Sequence, residues 1–229
     1  MFDTTEQQLR VTRWAWLTAI ATLVIGQLHA LARFQTEDGR SDLDLPLTGA
    51  WAKPATDVLE PLLDWAGPDT VYLTYGKWWT VALGVMVAAA IVIARLRQPY
   101  GAEKWGWRLF IAGNAVLTLG VTAYYWGQWT SYNVLEDIGL WAQLPAALVG
   151  TVGATVLGVA LLRRGARPRI AAALLLLSFV WVFTISEVTS LGNTGLPTMF
   201  AIAMLASSET RRTVPASAGL STRRVTATQ

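Results

Sequence analysis

The sequence predicts an all-α membrane protein: a bundle of six transmembrane helices with an interfacial helix in the first external loop, or five spans plus a re-entrant half-helix. Three observations lead there. Of the 229 residues, 53% are hydrophobic and only 14% are charged, against about 25% charged in soluble domains. The charges cluster, leaving charge-free runs at 14–32, 78–94, 109–135, 138–162, 170–186 and 188–208, each near the roughly 17–25 residues a spanning helix needs. Basic residues gather on alternate connections, the asymmetry that orients membrane helices.

The first run follows Arg10 and Arg13 and reads "WAWLTAIATLVIG", with "ALA" at 30–32. It is long enough to span. A cleaved signal peptide with a small-residue site is the alternative. Both readings place residue 34 outside the cytoplasm.

Residues 33–77 form the one sizeable loop and are expected to be external. They hold eight acids, Glu37, Asp38, Asp42, Asp44, Asp57, Glu60, Asp64 and Asp69, against four basic residues. Within "PATDVLEPLLDWAGP", Val58, Leu59, Leu62, Leu63 and Trp65 fall along one side of a short helix, with Thr56 or Asp57 as its cap and Pro61 in its first turn. That pattern suits a helix lying on the outer leaflet. Asp38, Asp42 and Asp44 offer oxygen ligands, but their spacing lacks the calcium-loop pattern, so a solvated acidic loop is expected and no metal site is assigned.

The later connections carry the charge. With six spans and both ends cytoplasmic, Arg10, Arg13, Arg95, Arg97, Lys104, Arg108, Arg163, Arg164, Arg167, Arg169, Arg211, Arg212, Arg223 and Arg224 lie inside, leaving four of the 18 basic residues outside. Five spans would move the last four arginines out and nearly erase the bias. Tryptophan and tyrosine prefer headgroup levels: Trp14, Trp16, Tyr100, Trp105 and Trp107 fall at the expected inner boundary, and Trp78, Trp79, Tyr124, Tyr125, Trp126, Trp129 and Trp141 at the outer one. The last run is interrupted by Gly192, Asn193, Gly195 and Pro197, which makes a re-entrant segment the competing reading for 188–208. Residues 1–208 form one transmembrane domain, and 209–229, rich in Ser, Thr, Ala and Arg, read as a disordered cytoplasmic tail.

Residues that could carry chemistry are few. The chain has no cysteine and one histidine, His29, so thiolate sites, bis-histidine haem and histidine-rich zinc sites within one chain are excluded. His29 lies about 8 Å beyond the midpoint of its run at 1.5 Å per residue, on the side of Arg33, and reads as an interfacial residue. A proton carrier is the alternative. Glu187 falls at the outer end of the fifth run. With His29 and Asn193 it could form an ion or substrate site beside the broken backbone of "SLGNTG", as discontinuous helices do in transporters. Gly150, Ala154 and Gly158 recur every four residues, a stripe for close helix packing within the bundle or in a homodimer. Arg163, Arg164, Arg167 and Arg169 in "RRGARPR" anchor topology or bind an anionic lipid head group. Nucleotide-binding loops and the serine elbow are missing, no cofactor is expected, and no folded basic face suits nucleic acid.

The 12 tryptophans give the chain a composition similar to that of tryptophan-rich sensory proteins. Its long acidic loop and its length depart from them, and no residue carries over. "YGAEKWGWR", "TVLGVALLRRGARPR" and "VTSLGNTGLP" on an Ala- and Arg-rich background resemble uncharacterised multi-pass membrane proteins of actinobacterial type over most of residues 1–208. The resemblance implies an inner-membrane location and no activity. The expectation is a non-enzymatic accessory component with the bilayer and a membrane-protein partner or second copy as its contacts. A small permease or ion-coupled transporter is the alternative.

Overall fold

The computed structural model describes residues 4–128, 133–189 and 191–213. Trp129 and residues 214–229 of the expected tail lie outside the described residues. All regular structure among the described residues is helical: α1 (Thr5–Gln35), α2 (Pro46–Leu63), α3 (Pro68–Gly76), α4 (Trp78–Arg97), α5 (Gly101–Gly127), α6 (Asn133–Arg163), α7 (Arg169–Leu176), α8 (Ser178–Ser186) and α9 (Leu196–Thr213), with short 3-10 turns at Arg40–Asp44 and Leu191–Gly195.

Local chemistry sets the boundaries. Thr4 caps α1 in a reciprocal box: its hydroxyl accepts from the Gln7 amide at 3.3 Å, and the Gln7 side chain accepts from the Thr4 amide. Prolines at the first position open α2 and α3. α4 stops where Gln98 turns left-handed before Pro99. α6 ends at Gly165, whose φ of 64° lets its amide reach the Leu162 carbonyl while the Ala166 amide reaches that of Leu161, a pairing that satisfies the last carbonyls of a helix.

Four helices are long and apolar enough to cross a membrane, α1, the joined α3–α4 stretch Pro68–Arg97, α5 and α6, and the count is five if α7 and α8 make one span bent by 64°. At that bend the Trp181 indole donates to the Leu174 carbonyl and the Ser178 hydroxyl to that of Leu175, so the carbonyls at the break keep partners, as an apolar surround demands. α9 is not among the spanning candidates; its last turns carry Glu209, Arg211 and Arg212.

Two expected boundaries shift. The second candidate span starts at Pro68, ten residues ahead of the charge-free run, because α3 continues into α4 through a helical Lys77. Charge-free runs miss such an extension when a buried helix begins with polar residues. The helix expected from Thr56 or Asp57 begins at Pro46, so Pro61 sits in its last turn and Pro54 in its middle.

One end of the bundle gathers the basic segments: the start of α1, the α4–α5 and α6–α7 turns, and the end of α9. We call it the basic end. α2 covers the opposite end, where Ala52 and Leu63 pack with Ala30, Leu31, Phe34 and Val71. The Trp51 indole donates to the Val188 carbonyl and the Thr48 hydroxyl to the Glu187 carbonyl at 3.1 Å. α1 runs antiparallel to α9, so Thr12 and Thr210 hydroxyls meet at 3.1 Å and the Trp16 indole donates to Ser207 at 2.7 Å. α5 and α6 form an antiparallel pair with a seam of glycines. A Cβ at Gly113 would strike the Gly150 backbone, one at Gly153 the Phe110 backbone, and one at Gly106 the Leu157 backbone.

Candidate functional site

His29 is 3% exposed and faces the interior of the bundle. α1 turns it inward, where α3, α4 and α5 each supply an aromatic ring. The Trp79 indole donates to Nδ1 at 3.4 Å, and Nε2 lies 2.8 Å from the Tyr125 hydroxyl. Tyr72 stacks on the imidazole with centroids 4.8 Å apart, and its hydroxyl lies 3.3 Å from that of Tyr125. Since the indole can only donate, Nδ1 is the acceptor and the ring proton sits on Nε2. Trp79 and Tyr125, expected at the outer headgroups, are buried against this ring.

Asn193 lies near this box. It is fully buried, and its amide donates to the Gly26 carbonyl at 3.3 Å. Its Oδ1 has no partner among the described residues. The space above Gly26 is shared: a Cβ there would overlap Asn193 Oδ1 and lie 3.5 Å from the Trp79 ring. Asn193 is therefore held against α1 at Gly26, one turn before His29. Glu187 is not brought to them. Its side chain is exposed just beyond α8, and its carbonyl is held by Thr48 from α2.

Gly150, Ala154 and Gly158 are used inside the chain. Gly150 faces Asn114 of α5, Ala154 is 1% exposed, and a Cβ at Gly158 would strike the Leu176 backbone of α7. The stripe that a second copy would need is occupied by α5 and α7.

The basic end holds two groups that sequence reading missed. Glu103, 1% exposed, accepts from Arg97 at 2.7 Å, from Arg164, and from the Trp107 indole at 3.3 Å. Glu209, 6% exposed, accepts from Arg97 and, at 3.2 Å, from Arg212. Arg97 thus bridges two carboxylates and ties the end of α4 to α5 and α9, while Arg164 ties the turn after α6 to α5. Residues 209–213, expected to begin the tail, continue α9 because Glu209 and Thr210 are buried in these contacts. The signal was present: Glu103 is the one acid among the four basic residues of "RLRQPYGAEKWGWR", and Glu209 stands just ahead of two arginines.

The "RRGARPR" arginines separate. Arg164 leaves the patch for Glu103, donates to the Tyr100 carbonyl at 2.9 Å and lies 3.6 Å over the Tyr100 ring. Arg163 is exposed on the last turn of α6. Arg167 and Arg169 instead join Arg211 and Arg212 around an open recess of about 960 Å³, with Trp16 and Met204 among its lining. The Ser208 hydroxyl donates to the Arg167 carbonyl at 2.8 Å and holds the turn against α9. Among the described residues, no acid pairs with Arg167, Arg169 or Arg211, whereas Arg212 reaches Glu209.

The chain matches no protein-family model, no curated protein and no solved structure.

Proposed function

We propose that this chain is a non-enzymatic, multi-pass component of the plasma (inner) membrane that holds an anionic partner at its basic end. In this reading the basic end is cytoplasmic, the chain crosses six times with α9 as the returning leg, and α2 lies at the outer interface with Val58, Leu62 and Trp65 exposed. The Thr12–Thr210 contact supports an even number of crossings, since it sets both terminal segments at one end. Five crossings with α9 re-entrant would separate them.

The observation that carries the binding role is the convergence of arginines from two segments, the α6–α7 turn and the end of α9, on one recess. Guanidinium groups left without carboxylates are suited to an outside anion. Purification in mild detergent with crosslinking and mass spectrometry tests this. An anionic partner, lipid or protein, co-purifies with the wild type and is lost when Arg167, Arg169 and Arg211 are changed to Gln. A monomer with nothing bound overturns the reading.

A small ion-coupled permease is the second reading. It is favoured by Asn193, whose Oδ1 lacks a partner while buried against Gly26 near the His29 box. Glu187, exposed elsewhere, leaves that site. Asn193→Ala then abolishes ion-linked uptake in proteoliposomes with the fold intact. Unchanged uptake, or no uptake by the wild type, rejects it.

A further inference from the structure

We infer that the recess between α1, α7 and α9 is a seat for an anionic glycerophospholipid, its phosphate held by Arg167, Arg169 and Arg211 and its glycerol end resting on Trp16 and Met204. The inference rests on the binding role proposed above and names its ligand.

Three features select this chemistry. The first is uncompensated charge. The chain supplies Glu103 and Glu209 to Arg97, Arg164 and Arg212, and among the described residues it supplies no acid to the other three arginines that line the recess, Arg167, Arg169 and Arg211. A phosphate presents oxygens in the spacing a guanidinium fork matches.

The second is mixed polarity. Trp16 has its indole N–H committed to Ser207 at 2.7 Å, so it offers the recess ring surface without a spare donor. Met204 adds a second apolar side chain. A soluble phosphate would have no use for them; the glycerol and first methylenes of a lipid would.

The third is position. Further along α1 from Trp16 come Leu17, Ile20 and Leu23, each about half exposed, and next to Arg169 comes Ile170, 59% exposed. Apolar surface begins where the arginines end, so a headgroup in the recess leaves its acyl chains along the bundle wall. The volume, about 960 Å³, is at the upper end of the roughly 300–1,000 Å³ of small-molecule sites. A choline or ethanolamine headgroup would bring its own cation against the three arginines, so anionic lipid is preferred over zwitterionic.

The test uses the full chain in detergent and native mass spectrometry, with phosphatidylglycerol and phosphatidylcholine as paired probes and inorganic phosphate and glycerol 3-phosphate as soluble competitors. Wild type retains phosphatidylglycerol about tenfold over phosphatidylcholine, in keeping with clustered basic residues that recognise anionic lipid. The preference drops to near equality in R167Q/R169Q/R211Q, falls partway in R211Q alone, and stays in R163Q, whose arginine does not line the recess. Equal retention of both lipids by wild type overturns the inference. So does a preference that survives in the triple variant, or displacement of the lipid by equimolar soluble phosphate. An acidic protein crosslinked at the recess, with no lipid preference, sinks the lipid assignment and leaves the parent reading standing. No lipid preference and no crosslinked partner sink both.

Discussion

The Tyr125 hydroxyl stands 2.8 Å from Nε2 of His29 and joins α5 to α1 across 96 residues of sequence. With Nδ1 turned to the Trp79 indole, the ring proton points at this oxygen. Tyr125→Phe leaves a buried N–H without an acceptor, which costs about 1–3 kcal/mol. Tyr72→Phe removes only the longer hydroxyl contact and costs about 0.5–1.5 kcal/mol. Thermal unfolding in detergent separates them: Tyr125→Phe melts lower than Tyr72→Phe, and equal melting points would remove the assigned tautomer.

Glu103 offers a sharper contrast. It lies between Arg97 and Arg164 with 1% of its side chain exposed. Glu103→Gln strips the charge that both guanidinium groups face, and breaking a buried pair from one side costs about 3–5 kcal/mol. Glu6, paired with Arg10 at 2.7 Å but 81% exposed, sits in water, and Glu6→Gln leaves stability unchanged within error. Denaturant titration of the two variants reads the difference.

The α5–α6 seam predicts opposite signs for one kind of substitution. At Gly153 an added Cβ meets the Phe110 and Leu109 backbones inside van der Waals distance, and backbone cannot swing aside. Gly153→Ala therefore forces the two helices apart and destabilises. Gly84, inside α4, has nothing within 4 Å of an added Cβ. Gly84→Ala gains about 0.5–1 kcal/mol from the lower backbone entropy of alanine. Melting temperatures should move down for the first and up for the second.

Side of the membrane is open to direct labelling, because the chain has no cysteine of its own. In intact cells an impermeant thiol reagent labels Ser41→Cys and spares Ser217→Cys until the cells are opened. Labelling of Ser217→Cys from outside would give an odd number of crossings.

The membrane class was legible because burial of a spanning helix leaves a long charge-free run, a one-dimensional signal. Four of the expected runs appear within α1, α4, α6 and the bent α7–α8 pair, and a fifth lies mostly in α5. What stayed hidden depends on where a helix begins and which way it faces. Tyr72 falls in the expected 33–77 loop because Lys77 bounds the charge-free run, yet it stacks on His29. Glu103 and Glu209 fall in the expected loop and tail, and the distant partner of each, Arg164 and Arg97, sits 61 and 112 residues away. Arg164 and Arg167, neighbours in one basic patch, have different fates because Gly165 turns the chain between them. A single sequence carries composition and spacing; it does not carry the pairing of segments that meet only after folding.

That pairing has a bearing on how the protein is made. α5 and α6 are consecutive, and their seam can zip as soon as both have left the ribosome, the kind of local contact that forms quickly. α1 emerges first; His29 and Thr22 meet α3, α4 and α5 early, but its side toward α9 waits: Thr12 meets Thr210 across 198 residues, and Gly26 meets Asn193 across 167. Until α9 is made, the Thr12, Trp16 and Gly26 positions lack the partners they have in the folded chain. The same helix brings Glu209 to Arg97 and Arg211 to the recess. Docking of α9 and assembly of the arginine cluster are thus one event, so a nascent chain halted before Leu196 would lack two of the four arginines that line the recess.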